Sequence, residues 1–437
     1  MRLQPENREG PHRAGLYIHV PFCARKCPYC DFYSVTDVSK IETYLHGLKK
    51  EMDLAKAPDV PFDTIYIGGG TPSLLEPHEA LRILEQAHRR FAFVQDVEVT
   101  IEVNPGTVSL ASLKTLSGHG VNRVNIGIQS FDDERLQLLG RLHSAREARE
   151  AIRLVRKAGV DTRLGIDLMY GLPDQSPQDW LNDLREATSH EPEHLSCYML
   201  TYEKGTLFYD WRKAGRVRPL DEGKVRRLFE ETVGFLRDEG YEQYEISNFS
   251  RGEEFRSRHN QKYWSHAPYI GLGPSAHSFI EPKRWWNYGD LSNYIQALQR
   301  GAPPIRGSEE LNPGQLMLES VFLGLRTSRG IEMSRFKSRY GVGFMDHFSP
   351  VFEGLKVRNL LNFLSFSANR CALTVEGMIF ADSIAAMFAE HVETSSFSAF
   401  SPPLRHDRQC VGKINGSGVE PANGLDEDAR QGSGSFK

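Results

Sequence analysis

Three of the six cysteines, Cys23, Cys27 and Cys30, fall within one short segment, YIHVPFCARKCPYCDF, at CxxxCxxC spacing. Thiolates that close in sequence bind soft metals. Zinc asks for four ligands in a closed structural site, and only His19 lies nearby as a fourth. A cubane iron–sulfur cluster can use three thiolates and leave the fourth iron for an exogenous ligand. Ligand softness alone does not decide between the two.

The other residues suited to chemistry stand where apolar runs stop. Six β-branched or aromatic runs end in Gly, Pro, Asn or Asp: LYIHV, TIYIGGG, VEVTIEVNP, VNRVNIGIQS, DTRLGIDLMYGLP and HLSCYML. Gly68–Ser73 follow the second run, Glu102 the third, Gln129 the fourth and Asp167 the fifth. Between the runs, Val38–Leu54, Glu79–Phe91, Ala145–Ala158 and Pro177–Glu186 have helical spacing. Strand and helix in alternation predict βαβ units and a parallel sheet. Six units are too few for a closed eight-unit barrel and suit a partial (β/α)6 barrel, with ligands at the carboxyl ends of the strands. Small residues at Gly68, Gly69, Gly70 and Thr71 predict a backbone anion nest at one of those ends.

Past residue 250 the pattern changes to short aromatic-rich segments and helices. The expected organisation is therefore a flexible N-terminus (1–14), the barrel (15–250), a small α+β C-terminal domain (251–394) and a disordered tail (395–437), rich in Ser, Gly, Pro, Asp and Asn. The 437 residues carry 40% hydrophobic and 25% charged side chains, ordinary for a globular protein large enough to need no disulfides. A formal net charge of -4 gives no expectation of a nucleic-acid partner. The opening MRLQPENREGPHRAG lacks the apolar run of a signal peptide, so a cytoplasmic location is expected.

The extended block YIHVPFCARKCPYCDF, with Tyr29 before the last cysteine, resembles the signature of the radical S-adenosylmethionine (SAM) superfamily. It is most similar to the subset containing oxygen-independent coproporphyrinogen III oxidases and HemW-type heme chaperones. YIGGGTPS, IEVNPG, RVNIGIQSF, LGRLH, IDLMYGLP, EQYEISNF, SRHNQKYW and GLGPSAHSF follow in family order, from about residue 15 to 390. The resemblance implies a 4Fe-4S cluster on Cys23, Cys27 and Cys30, with SAM on the open iron. It implies SAM contacts at Gly69, Gly70, Thr71, Glu102, Gln129, Arg141 and Asp167, with Tyr17 and Tyr29 as an aromatic shell. Core packing explains either tyrosine almost as well, a surface ion pair is the plain reading of Arg141, and a helix N-cap that of Asp167.

Two departures separate the chain from the oxidases of this subset. Phe32 stands where they carry a further cysteine, and the segment before Tyr17 is shorter than theirs. HNQKYW, His259 to Trp264, resembles the HNxxYW motif of the heme chaperones. The expectation is a heme chaperone that binds cluster, SAM and heme, takes electrons from a donor, and passes heme to acceptor proteins, meeting a membrane only through an acceptor. Its rivals are a coproporphyrinogen III oxidase and a SAM enzyme acting on a non-porphyrin substrate. His259 is a candidate heme ligand, set against the commoner hydrogen-bonded core histidine. His277 is a second candidate, and Cys197 reads as a buried core thiol.

Overall fold

The computed structural model describes residues 13–159, 162–358, 364–367 and 369–394. The expected flexible N-terminus (1–14) lies outside these apart from its last two residues, and the expected disordered tail (395–437) lies wholly outside. Six strands pair in parallel and in chain order: β1 (Ala14–Val20), β2 (Phe62–Gly69), β3 (Phe93–Val103), β4 (Arg123–Gln129), β5 (Arg163–Tyr170) and β6 (His194–Met199). Helices Ile41–Leu54, Pro77–Arg90, Leu110–Gly118, Ala145–Ala158 and Pro177–Ser189 connect them. This is the expected partial barrel. Side chains alternate across a strand. One face of the sheet carries Leu16, Ile18, Ile65, Ile67, Val99, Ile101, Val124, Ile126, Leu164 and Ile166, all buried in the main hydrophobic cluster. The opposite face is polar: Tyr17, His19, Tyr66, Glu102, Asn125, Asp167 and Ser196 follow the same period. The helices begin where capping chemistry places them. Ser144 with Glu147, and Ser176 with Asp179, form reciprocal capping boxes, each worth about 1 kcal/mol.

The expected boundary at residue 251 does not coincide with a break in the sheet. Beyond β6 the sheet is extended by an antiparallel pair, β7 (Glu242–Glu245) and β8 (Asn248–Ser250). On the other side, β9 (Tyr269–Leu272) pairs in parallel with β1, and β10 (His277–Ile280), β11 (Lys283–Asn287) and β12 (Ile305–Glu310) follow antiparallel. One twelve-stranded sheet results, ordered β12-β11-β10-β9-β1-β2-β3-β4-β5-β6-β8-β7. The loss of βα alternation near residue 250 thus marks a change from crossover connections to hairpins within a single sheet.

A smaller unit follows. β13 (Ile331–Glu332), β14 (Leu364–Ser367) and β15 (Arg370–Leu373) form a separate sheet in the order β13-β15-β14. Helices Pro313–Leu325, Ser349–Val357 and Ala381–Thr394 accompany it, and Phe336, Phe344, Phe348 and Phe388 form an aromatic core. Arg326 ties this unit to the large sheet. Its Nη2 lies 2.7 Å from the buried Glu245 Oε1, and its carbonyl accepts from the Ile246 N–H at 3.1 Å. Among the described residues no helix is long and apolar enough to cross a membrane.

Candidate functional site

The cysteine loop grows directly from the carboxyl end of β1, a strand with a parallel neighbour on each side. Its start is pinned by backbone bonds from Cys23 N–H to the Val35 carbonyl (3.0 Å) and from Val35 N–H to the Pro21 carbonyl (2.7 Å). Phe22 is buried edge-on against Tyr44 at 5.5 Å. Farther along, the Pro28 carbonyl accepts from the Phe208 N–H at 2.9 Å. Gly140 lies so close that a Cβ there would stand 2.6 Å from the Pro28 ring. Cys23, Cys27 and Cys30 form no disulfide and are half-buried.

The glycines after β2 do a different job from the one expected. Gly69 N–H donates to Glu102 Oε2 at 3.2 Å, Gly70 N–H to the Val20 carbonyl at 2.8 Å, and Thr71 N–H to the Phe22 carbonyl at 2.7 Å. Three donors of the expected anion nest are therefore spent on Glu102 and on clamping the cysteine loop. The need for glycine is steric. Gly69 has φ 108°, and a Cβ on it would meet the His19 ring at 2.6 Å. A Cβ on Gly70 would stand 2.7 Å from the Phe22 carbonyl oxygen and 3.1 Å from Cys23 Sγ.

Around this clamp the expected polar residues do gather. The Tyr66 hydroxyl donates to Glu102 Oε1 at 2.7 Å, which together with Gly69 fixes the carboxylate. Arg141 Nη2 donates to Asn104 Oδ1 and to the Gly127 carbonyl, both at 2.6 Å, and its Nη1 lies 3.9 Å from Cys27 Sγ. Asn104 Nδ2 in turn donates to Thr71 Oγ1 at 2.9 Å, and that hydroxyl is 3.5 Å from Cys23 Sγ. Asn104 is thus the hinge of the site. Sequence reasoning passed over it, although it closes β3 inside the IEVNPG block. Among the described residues Arg141 makes no surface ion pair, and Asp167 sits within β5 on the polar face and not at a helix start. Its charge helps to push up the phenol of Tyr66 and the thiol of Cys197, burial being the larger cause for each. Cys197 is a buried core thiol. Gln129 ends β4 with φ 71°, a left-handed backbone that costs a non-glycine residue energy and clusters at functional sites.

Tyr17 and His19 occupy the polar face of β1. His19 Nε2–H donates to the Tyr33 carbonyl at 2.9 Å, so its Nδ1 accepts from the Tyr17 hydroxyl at 3.1 Å. Burial lowers the His19 pKa to about 4. With both ring nitrogens engaged, His19 is not available as a fourth zinc ligand. Burial raises the Tyr29 phenol, which lies beside Cys27 and Arg141.

His259 lies behind these residues, its ring 5.1 Å from that of Tyr66 and 6.3 Å from that of Tyr17. The helix Arg258–Trp264 crosses the opposite, amino-terminal end of β1 and β2. There Lys262 Nζ bonds Asp63 Oδ1 at 2.6 Å and the Arg13 carbonyl at 3.0 Å. His259 is buried and shares hydrogen bonds with Thr64 Oγ1 (2.8 Å, through Nδ1) and the Tyr263 hydroxyl (2.9 Å, through Nε2). Its pKa falls to about 3, through burial first and Lys262 second. A bond to heme iron would require one of these hydrogen bonds to break and the helix to move. His277, on β10, is half-buried and stacks on Trp286 at 6.0 Å.

The residues present fit a cubane cluster. Three thiols sit in one clamped loop, with the Thr71 hydroxyl 3.5 Å from Cys23 Sγ and the Arg141 guanidinium 3.9 Å from Cys27 Sγ. Among the described residues no three His, Cys, Asp or Glu side chains are gathered about one point as a single-metal site needs. A cubane asks instead for one thiolate on each of three irons.

Comparison with known proteins agrees with this geometry. The radical SAM superfamily profile matches residues 17–187, and the HemN C-terminal domain profile matches residues 311–380. The heme chaperone HemW of Bacillus subtilis is 32% identical over 376 residues, 85% of this chain and 98% of that protein. HemW of Escherichia coli is 40% identical over 61% of this chain and 70% of its own length. The mouse mitochondrial radical S-adenosyl methionine domain-containing protein 1 is 32% identical, covering 87% of this chain and 88% of its own. Among solved structures, Escherichia coli coproporphyrinogen III oxidase (HemN) superposes with a TM-score of 0.75 over 87% of this chain and 91% of its own, at 23% identity, which speaks to fold. The clamped cysteine loop, the polar barrel face and relatedness along almost the whole length of a HemW place the chain in the HemW-type heme chaperone family of the radical SAM superfamily.

Proposed function

We propose that the chain is a heme chaperone: it holds a 4Fe-4S cluster on Cys23, Cys27 and Cys30, binds SAM beside it, binds heme, and passes heme to an acceptor protein. The observation that carries this reading is the 32% identity across 98% of a heme chaperone HemW, in a chain that has Phe32 where an oxidase carries its further cysteine. A cluster on these thiolates would supply one-electron chemistry at the SAM sulfonium. Glu102, held by Tyr66 and Gly69, accepts hydrogen bonds from the SAM amine or ribose. Arg141 and Asn104 steady the loop that presents Cys27, and Gly70 leaves room at Cys23. Gln129 at the end of β4 and Asp167 within β5 close the pocket, with Tyr17 and Tyr29 packed around it.

Anaerobic reconstitution, then SAM binding, hemin titration and heme transfer to a heme-free acceptor on one sample, tests the proposal. A stable hemin complex that yields its heme to the acceptor is expected. Coproporphyrinogen turnover with SAM and a reductant would overturn the chaperone reading in favour of the oxidase.

A further inference from the structure

The register of the large sheet sets a row of residues on one face. Tyr17 of β1 pairs with Gly271 of β9. Gly271 abuts His277 of β10, whose carbonyl oxygen would be 2.1 Å from a Cβ at that glycine. His277 pairs with Trp286 of β11, and Trp286 with Gly307 of β12. Cross-strand neighbours share a face, so His277 and Trp286 lie on the polar face that also carries Tyr17. Each stands next to a position without a side chain, and the Trp286 ring leans over Gly307, where a Cβ would lie 2.5 Å from Cζ2. β10 runs antiparallel to β9, so it begins at the end of the sheet where β1 gives way to the cysteine loop. Gly273, just before it, sits against the His19 carbonyl.

Heme iron takes a neutral imidazole nitrogen whose lone pair is not already committed. His259 has none, because Thr64 and Tyr263 use both nitrogens. His19 is committed to Tyr17 and Tyr33. The His277 ring is half-buried, lies 6.0 Å from the Trp286 ring at an interplanar angle of 26°, and makes no side-chain hydrogen bond among the described residues. Burial, with Arg284 second, lowers its pKa to about 4, so the ring is neutral at pH 7. Arg284 on the same face is itself neutralised by Glu309 and Glu319.

We infer that His277 is the imidazole ligand for heme iron, with the edge of Trp286 against the same porphyrin face, at the cysteine-loop end of the barrel. An axial imidazole stands upright on the porphyrin plane. A ring nearly parallel to it therefore meets the macrocycle edge-on, a favourable aromatic contact. Coordination forms one Fe–N bond from the imidazole lone pair and releases a solvent ligand, with no change of oxidation state. The inference rests on the heme-binding reading proposed above, and it moves the heme site away from the HNQKYW helix.

Hemin titration of the full chain tests it. The wild type is expected to give a nitrogen-ligated ferric spectrum. His277→Ala should weaken hemin binding at least tenfold and shift the Soret band, and free imidazole should restore the wild-type spectrum to His277→Gly, which separates lost ligation from misfolding. His259→Gln should keep the wild-type spectrum. An unchanged spectrum and affinity in His277→Ala, or loss of the spectrum in a folded His259→Gln, would overturn the assignment while leaving heme binding itself intact. No hemin binding by the wild type would overturn the heme-binding reading, and this assignment with it.

Discussion

Glu102 shows how much of the site a single side chain carries. Both of its oxygens receive hydrogen bonds, from Tyr66 and from Gly69, so it would enter the proposed SAM complex already oriented. Glu102→Gln is expected to leave the cluster absorbance unchanged and to weaken SAM binding about tenfold, or about 1.4 kcal/mol, measured by equilibrium dialysis on reconstituted protein. Tyr66→Phe should give a smaller loss in the same direction. Cys27→Ala should abolish the visible cluster absorbance, and a retained cluster would refute its role as a ligand. Glu102 and Gln129 could be placed near strand ends from the sequence because apolar runs stop there, whereas Asp167 lies inside β5. Asn104 was not legible, since an Asn-Pro-Gly turn accounts for it without any ligand. The glycines were legible as a required small-residue stretch, but not as a clamp. Which carbonyl a backbone N–H finds depends on the neighbouring strand, and composition does not encode that.

At the scale of elements, Glu51 joins segments far apart in the chain. From helix Ile41–Leu54 its buried carboxylate accepts from the Tyr294 hydroxyl (2.6 Å), the Gly273 N–H (2.7 Å) and Asn287 Nδ2 (2.5 Å). Tyr44 of the same helix donates to the His19 carbonyl at 2.8 Å. Glu51→Leu would strand three buried donors at about 1 kcal/mol or more each, so a loss of about 3 kcal/mol in denaturant unfolding is expected. Burial raises the Glu51 pKa from 4.5 to about 7. The folded state therefore favours the protonated acid. Its contribution is full below pH 4.5 and declines as pH rises through about 7. Glu51→Gln, which cannot ionise, should flatten that part of the stability-versus-pH curve. None of this was legible beforehand. Helical spacing marks Glu51 only as a charged residue on a helix, whereas its partners lie more than two hundred residues away.

Across the whole molecule, the large sheet and the smaller unit meet where Arg326 pairs with the buried Glu245. Removing one partner of a buried pair leaves an uncompensated charge. Arg326→Ala is therefore expected to cost about 3 kcal/mol of stability in denaturant unfolding, much of which Glu245→Gln added in the same chain should restore. The six-unit barrel, the helix Ala145–Ala158 and most of the helix Pro177–Ser189, expected over Pro177–Glu186, could be read from periodicity. The extent of the sheet could not, because hydrophobic spacing identifies a strand without naming its neighbour. Pairing β1 with β9 joins residues 14–20 to residues 269–272.

That last pairing governs the order in which the protein can be built. During synthesis β1 and its cysteines leave the ribosome long before β9 does. Until residues 269–272 follow, β1 stays an edge strand with one row of backbone groups unsatisfied, and β10, which carries His277, has not been made. Folding proceeds while the chain is still growing, so the cysteine loop reaches its final surroundings only after residues 269–272 have emerged. Insertion of a cluster into the finished site would thereby be a late event in the life of the molecule, and the barrel's first strand is among the last to be locked.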